Sequence, residues 1–249
     1  MERVPIKPPS WDGMVLPKDE PWITLYVRAR SKFVQNTWFP MVDIRHRQTG
    51  EVLWTGDAES LQGIRLSGLQ LAGADLAGQD LQGTDFHNTD LKGADLSAAN
   101  LNKANFQAAV LDDVLAEDAD FSEANLTDVF ARRASFRNSK MIRAVARYGK
   151  FTKSNFSGTN LTKSDFSMAD LQCHMEGVNG REMDLRGADL SNSNLTGSDL
   201  SFANLLEANL SNVDMAGVKL INAIGPYGQR IGAPAAPGSQ KRAWWQFWV

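Results

Sequence analysis

Leucine or phenylalanine recurs at every fifth position through Leu61, Leu66, Leu71, Leu76, Leu81, Phe86, Leu91, Leu96, Leu101 and Phe106. Two positions before many of them stands a small residue (Ala74, Thr84, Ala94, Ala99, Ala104), and Asp or Asn lies between (Asp75, Asp80, Asp85, Asp90, Asp95, Asn100, Asn105). The beat resumes at Phe121, Leu126, Phe136, Phe151, Phe156, Leu161, Phe166 and Leu171, then again from Leu185 to Leu220. An α-helix, with 3.6 residues per turn, drifts out of phase with such a repeat. A strand alternates with period two, so an odd repeat would send successive leucines to opposite faces. What remains is a chain that turns a corner once per repeat and buries its apolar positions only by stacking each unit on the next. Four corners give a coil of about twenty residues, with Leu/Phe and the small residue pointing inward.

This A-(D/N)-L-x-x pattern, carried over residues 59–222, resembles the pentapeptide-repeat family. The resemblance implies an all-β fold, a right-handed quadrilateral β-helix. Roughly eight coils, at about 4.8 Å per coil, would make a rod nearly 40 Å long. Residues 1–57 are expected to form an aromatic-rich N-terminal cap, 58–223 the β-helix, and 224–249 a Gly/Pro linker with a flexible aromatic tail.

Three departures from the beat carry information. Ala116, Ala131 and Ala146 stand where Leu or Phe is due, and Leu115, Phe130 and Val145 occupy the preceding Asp/Asn slot. Exposed apolar groups there would need a partner, so the expectation is that the backbone bulges and tucks the large residue inward. The inward residue also changes register by one position after Leu171. A single-residue deletion there makes Met175 inward and Cys173, Val178 and Met183 small-slot residues, with Gly180 a weak centre. His174 then points outward, which argues against a soft-metal site at Cys173-His174-Met175.

The third departure is charge. Net charge is −3, divided as +2 before residue 57, −8 over the repeats and +3 after residue 222. Asp112, Asp113, Glu117, Asp118, Asp120, Glu123 and Asp128 precede Arg132, Arg133, Arg137, Lys140, Arg143, Arg147, Lys150 and Lys153. Read linearly, the basic run looks like a nucleic-acid patch. Folded at about twenty residues per coil, Asp112 meets Arg132, Asp113 meets Arg133, Glu117 meets Arg137 and Glu123 meets Arg143, as ion pairs across neighbouring rungs. The residual basic face (Arg147, Lys150, Lys153, Lys163) is left as a possible contact for an anion. Asp75, Asp80, Asp85, Asp90 and Asp95 have a local reading, in which short polar side chains bond corner amides. The family resemblance implies a second reading, an acidic face that mimics duplex DNA toward type II topoisomerases such as gyrase.

The flanks differ from the repeats. Trp11, Trp22, Trp38 and Trp54 lie in the cap with Tyr26, Phe33 and Phe39. Strand signals appear at Ile23–Val27 and Met41–Ile44, the latter leading through Gly50 to Glu51–Trp54 as a hairpin. The linker ends in Lys241, Arg242, Trp244, Trp245, Phe247 and Trp248. Three readings of this tail stand side by side: it covers the open last coil, it inserts in a partner's apolar groove, or it lies at a membrane surface.

His46, His87 and His174 are scattered, and no phosphate loop, zinc spacing or nucleophile motif occurs. No enzyme activity, metal or cofactor is expected. The expected role is a scaffold or adaptor whose aromatic tail docks on another protein. A gyrase-directed DNA mimic is the alternative and membrane-surface association a further one. Direct nucleic-acid binding is not expected, and a homodimer through the C-terminal coil is left open. The single cysteine excludes an internal disulfide, and no apolar run reaches the roughly twenty residues of a membrane helix or the core of a signal peptide. A cytoplasmic setting follows, with leaderless export left open.

Overall fold

The computed structural model describes residues 30–34 and 37–232. The strand signal at Ile23–Val27, the cap aromatics Trp11, Trp22 and Tyr26 and the whole aromatic tail lie outside the described residues. At the N-terminal end β1 (Arg30–Val34), β2 (Thr37–His46) and β3 (Val52–Gly56) form an antiparallel sheet in the order β1-β2-β3. Gly50 closes the β2–β3 turn at φ 72°, its N–H donating to the His46 carbonyl at 2.9 Å. β2 also pairs with β4 (Ala74–Asp75), and the Arg47 N–H donates to the Gly73 carbonyl at 2.8 Å. Val42 and Ile44 are thereby buried in the same apolar core as Leu61 and Leu66. The cap is stitched to the coils by backbone as well as by packing.

From Arg65 onward the chain is a β-helix in which parallel bridges link residues twenty apart. Four ladders run along it. The first holds Arg65, Asp85, Asn105, Asn125, Val145, Asp165, Asp184 and Asn204; the second holds Gln70, Asp90, Val110, Phe130, Lys150, Asp170, Asp189 and Asn209. The third holds Asp75, Asp95, Leu115, Ser135, Asn155, His174, Asn194 and Asp214; the fourth holds Asp80, Asn100, Asp120, Lys140, Asn160, Asn179, Asp199 and Lys219. The one-residue deletion shows where Asn155 bridges His174, nineteen residues on. Met175, Cys173, Val178 and Met183 are buried, and His174 is exposed. The slip is absorbed without loss of the ladders.

The five-residue unit uses all of its amides, which is what backbone burial demands. In the unit from Leu81, the Leu81 N–H donates to the next coil (Asn100 O, 2.8 Å), as does that of Gly83 (Asn102 O, 2.9 Å). The Thr84 N–H closes the corner onto the Leu81 carbonyl at 3.1 Å, and the Asp85 N–H donates back to Ile64 at 2.9 Å. The remaining amide, that of Gln82, donates to the Asp80 carboxylate at 3.2 Å. The same side-chain bond recurs from Asp85, Asp90 and Asp95, so the acidic slot is a corner brace.

The inward tucking expected of Leu115, Phe130 and Val145 does not occur. Phe130 is 44% and Val145 37% exposed, and Leu115 is half-buried, all in register on their ladders. Ala116, Ala131 and Ala146 point inward with no exposure. The reason lies across the coil. Ten residues away around the ring stand Phe106, Phe121 and Phe136, and each large ring fills the space its alanine leaves. Phe106, Phe121, Phe136, Phe151 and Phe166 climb the core as a stair, with successive ring centroids 5.7, 5.7, 6.2 and 5.4 Å apart. Val114 and Val129 take the small slots beside the first two alanines. No large residue was needed inside.

At the other end, β5 (Ala223–Ile224) and β6 (Arg230–Ile231) form a short antiparallel hairpin that buries Ile231. Leu210, Val213, Met215 and Val218 of the last coil are only partly buried.

Candidate functional site

The tail residues Lys241, Arg242, Trp244, Trp245, Phe247 and Trp248 lie outside the described residues. The two charged groups singled out in the sequence lie within them. Asp75, Asp80, Asp85, Asp90 and Asp95 fall on the third, fourth, first, second and third ladders in turn. They wind around the rod, and only Asp75 and Asp95 share a ladder. Several are also engaged: Asn100 Nδ2 donates to Asp80 at 2.9 Å, Asn105 Nδ2 donates to Asp85 at 3.0 Å, and Arg47 approaches Asp95 at 4.0 Å. Each ladder mixes acids with Asn, apolar or basic residues, and acids follow one another only in pairs, Asp75–Asp95, Asp165–Asp184 and Asp170–Asp189. None of the four is a continuous acidic row.

The basic run is likewise a belt. Arg132 and Arg133 sit at the corner after the second ladder and Arg137 at the corner after the third. Lys140 lies on the fourth, Arg143 after it, Arg147 after the first and Lys150 on the second. The acids Asp112 to Asp128 form the belt one coil below. Of the expected cross-rung pairs, two form. Arg132 grips Asp112 at 2.5 Å with its backbone N–H also donating to that carboxylate at 2.8 Å, and Arg133 meets Asp113 at 2.6 Å. Burial of Asp112 opposes its ionisation, but the Arg132 hydrogen bonds outweigh it and hold the carboxyl below its usual range. The hydrogen bond from Arg133 does the same for the more exposed Asp113.

Glu117–Arg137 and Glu123–Arg143 stack as neighbouring rungs but do not pair. Glu117 accepts instead from the Ser135 hydroxyl at 2.8 Å, and Glu123 lies 3.8 Å from Lys103 on the rung below. Long side chains one coil apart have two rungs to choose from, and the linear charge pattern does not say which. Among the four cations held as a residual basic face, Arg147, Lys150 and Lys153 follow one another around the second ladder. Lys163 stands at another corner, 3.5 Å from Glu182.

Cys173 is buried, and burial pushes its thiol well above the ordinary range, so it acts as a core spacer. The described residues include no group of three or more His, Cys, Asp or Glu placed to hold a metal ion.

Sequence reading missed the corner residues. Tyr148 (44% exposed) and Met168 (53%) stack on successive coils between the first and second ladders, with Phe130 and Val145 on the ladders to either side. The Arg147 guanidinium lies 5.7 Å from the Tyr148 ring centroid. Arg186, fixed on Asp184 at 2.6 Å, continues the corner toward Leu206. The signal was available: the second residue after each inward position, read down every twentieth residue, gives Tyr148 above Asp128 and below Met168.

A family model of pentapeptide repeats matches the chain in eight copies, the first over residues 60–97 and the last over 193–224. Comparison with curated proteins returns no match. Among solved structures the chain is similar to HetL, a pentapeptide repeat protein involved in heterocyst differentiation regulation in the cyanobacterium Nostoc. Identity is 24% over 68% of this chain and 92% of that one, with a TM-score of 0.33. It is also similar to the plasmid-mediated fluoroquinolone resistance protein QnrB1, at 23% identity over 63% of this chain and 89% of that one, TM-score 0.32. A protein of the Arabidopsis thaliana thylakoid lumen is 29% identical over 45% of this chain and 67% of its own, TM-score 0.28.

Proposed function

We propose that this chain, which belongs to the pentapeptide-repeat family, is a non-catalytic interaction scaffold whose aromatic tail docks on a partner protein. In this reading the cap is residues 1–57, the β-helix 58–223, right-handed, four-sided and about eight coils long at the usual strand spacing, and residues 224–249 are tether and tail. Lys241, Arg242, Trp244, Trp245, Phe247 and Trp248 form the anchor, since Trp and Arg dominate interface energetics. The setting is the cytoplasm.

The observation that supports a scaffold over a DNA mimic is the engagement and interruption of the acids. A duplex presents its phosphates unbroken and free, whereas these carboxylates brace corners, accept from Asn100 and Asn105 and give way to a cationic belt at Arg132–Lys153. Affinity capture from source-cell lysate compares the full chain with one shortened to end at Gly232, which keeps the buried Ile231. The expected result is a defined partner held by the full chain and lost with the tail. Retention of the same partners by both would overturn the tail as anchor, and gyrase among them would establish the DNA-mimic reading. Loss of vesicle binding alone on shortening would place the tail at membranes.

A further inference from the structure

We propose that the corner between the first and second ladders, from Phe130 to Met168, is a second docking site. Its occupant is an extended segment of a partner protein that carries an aromatic or branched apolar side chain next to a carboxylate. This site goes beyond the role of the tail and stands if that reading fails.

Three observations converge there. First, Phe130 and Val145 occupy slots that elsewhere hold the Asp or Asn bracing the next corner, as Asp80 braces Gln82 and Asp90 braces Lys92. Neither residue supplies an acceptor and both stay exposed; the corner amide after Phe130, that of Arg132, donates to Asp112 instead, so neither a hydrogen bond of its own nor core burial accounts for the apolar residue. Second, Tyr148 and Met168 both have φ 60°, a left-handed conformation that L-residues adopt at a cost and that glycine fills at many other corners of this rod. Bulky apolar side chains are thus held outward at a strained position on two successive coils. Third, the four residues stand on neighbouring rungs of the same corner. Phe130 bridges Lys150 on the second ladder, Tyr148 is two residues before Lys150 and three after Val145, and the Tyr148 N–H donates to Ser167, next to Met168, at 3.2 Å. Gly187, one coil on, leaves the space over which the Met168 thioether lies.

Charge selects the occupant. Lys150 stands over Phe130 and makes no ion pair within the described residues, the carboxylate on its next rung, Asp170, accepting from the Thr152 hydroxyl at 2.9 Å. Arg147 lies on the Tyr148 ring with Asp165 at 3.9 Å. A single carboxylate is therefore attracted beside the apolar surface. A nucleic acid is disfavoured because its phosphates would run along the corner past Asp128 on one side and Asp165 and Asp184 on the other. The basic pair Lys241-Arg242 likewise speaks against this chain's own tail as the occupant.

The test selects phage-displayed random twelve-residue peptides on the full chain, then measures the synthetic consensus peptide by fluorescence anisotropy. The expected consensus is an apolar residue flanked by Asp or Glu. Its affinity should fall about tenfold or more in Phe130→Asn/Tyr148→Gly, the size of effect that hot-spot residues produce. The melting temperature of that variant should stay level or rise, because Asn and Gly are what these slots carry elsewhere in the rod. Lys150→Asp should weaken the same peptide, and shortening to Gly232 should leave it unchanged. The proposal is overturned by a consensus without acidic residues or by equal binding to the double variant. Binding of a labelled single-stranded oligonucleotide that disappears in that variant would also overturn it.

Discussion

In the opening coils glycine takes the left-handed corner position at Gly63, Gly68, Gly73, Gly78 and Gly83, whereas the next stretch, from Ala98 to Lys153, places a side chain at twelve corners in succession. The bracing slot differs in the same way. Asp75 to Asn105 supply an acceptor at every unit, while from Val110 to Lys150 only Asp120 and Asn125 do. The two regions share one backbone and one ladder pattern. Opening-coil residues satisfy local rules: glycine where φ is positive, a carboxylate where an amide needs a partner, leucine inward. Middle-coil residues break those rules and offset the loss with the phenylalanine stair and the Asp112–Arg132 clasp. Local conflict compensated elsewhere is the usual mark of a surface kept for something other than folding.

The largest effects belong to the core, where the regions should differ in how they tolerate truncation. Leu81 and Phe121 follow the same ladder two coils apart and are both fully buried. Leu81→Ala should cost about 2–5 kcal/mol and Phe121→Ala about 3–5 kcal/mol, measured by guanidinium unfolding. The opposition of Phe121 and Ala131 across the coil makes a sharper demand. Ala131→Leu alone should overpack the coil and cost about 1–3 kcal/mol, yet restore stability when added to Phe121→Ala. A double variant no better than Phe121→Ala would break the account of why Phe130 stays outside.

The corners come next, with opposite signs expected in the two regions. A Cβ at Gly78 would meet nothing within 4 Å, so Gly78→Ala carries the left-handed backbone penalty, about 1–2 kcal/mol, less about 0.5–1 kcal/mol of unfolded-state entropy. Ala98, at φ 56°, lies four corners further along the rod. There Ala98→Gly should stabilise by a similar net amount, because the same two contributions act with reversed sign. Thermal melts of the pair decide it. Loss of stability at both positions would mean that middle corners are not strained and would remove one support from the docking site.

The repeat, the coil length, the deletion after Leu171 and the burial of Cys173 were all legible in the sequence, because each follows from counting inward positions in fives. The outward surface was less so. Whether Glu123 meets Arg143 above it or Lys103 below is decided by side-chain reach, and both are one coil away. The row of acids from Asp75 to Asp95 looks continuous in sequence only because it winds. Ala131 in the inward slot, taken by itself, calls for a large residue nearby and points to Phe130. Read with Phe121 ten residues around the ring, Ala131 is already compensated and nothing forces Phe130 inward. Tyr148 and Met168 stand at corner positions, which in the linear repeat carry residues of every type and so give no periodic signal. Much of the missed surface is a property of columns twenty residues apart, which a linear scan does not align.

The smallest expected effect separates the two ion pairs of the middle belt. Asp112 and Asp113 both have carboxyls held below the point at which an unfolded Asp titrates, about 3.9. Folded chain therefore binds fewer protons than unfolded chain between those two points. The stabilisation is present in full above the unfolded value and is lost as pH falls through the folded one. Melts of the native chain and of Asp112→Asn/Asp113→Asn should thus differ at pH 6 and converge as pH drops below about 4. Salt should divide the pair. Asp113–Arg133 is half-exposed on both sides and weakens with ionic strength, while Asp112 is buried and also accepts the Arg132 backbone amide, so its share persists. A difference that survives acid would show that the Asp112 site acts through packing and not through charge, and the middle coils would then owe their stability to the phenylalanine stair.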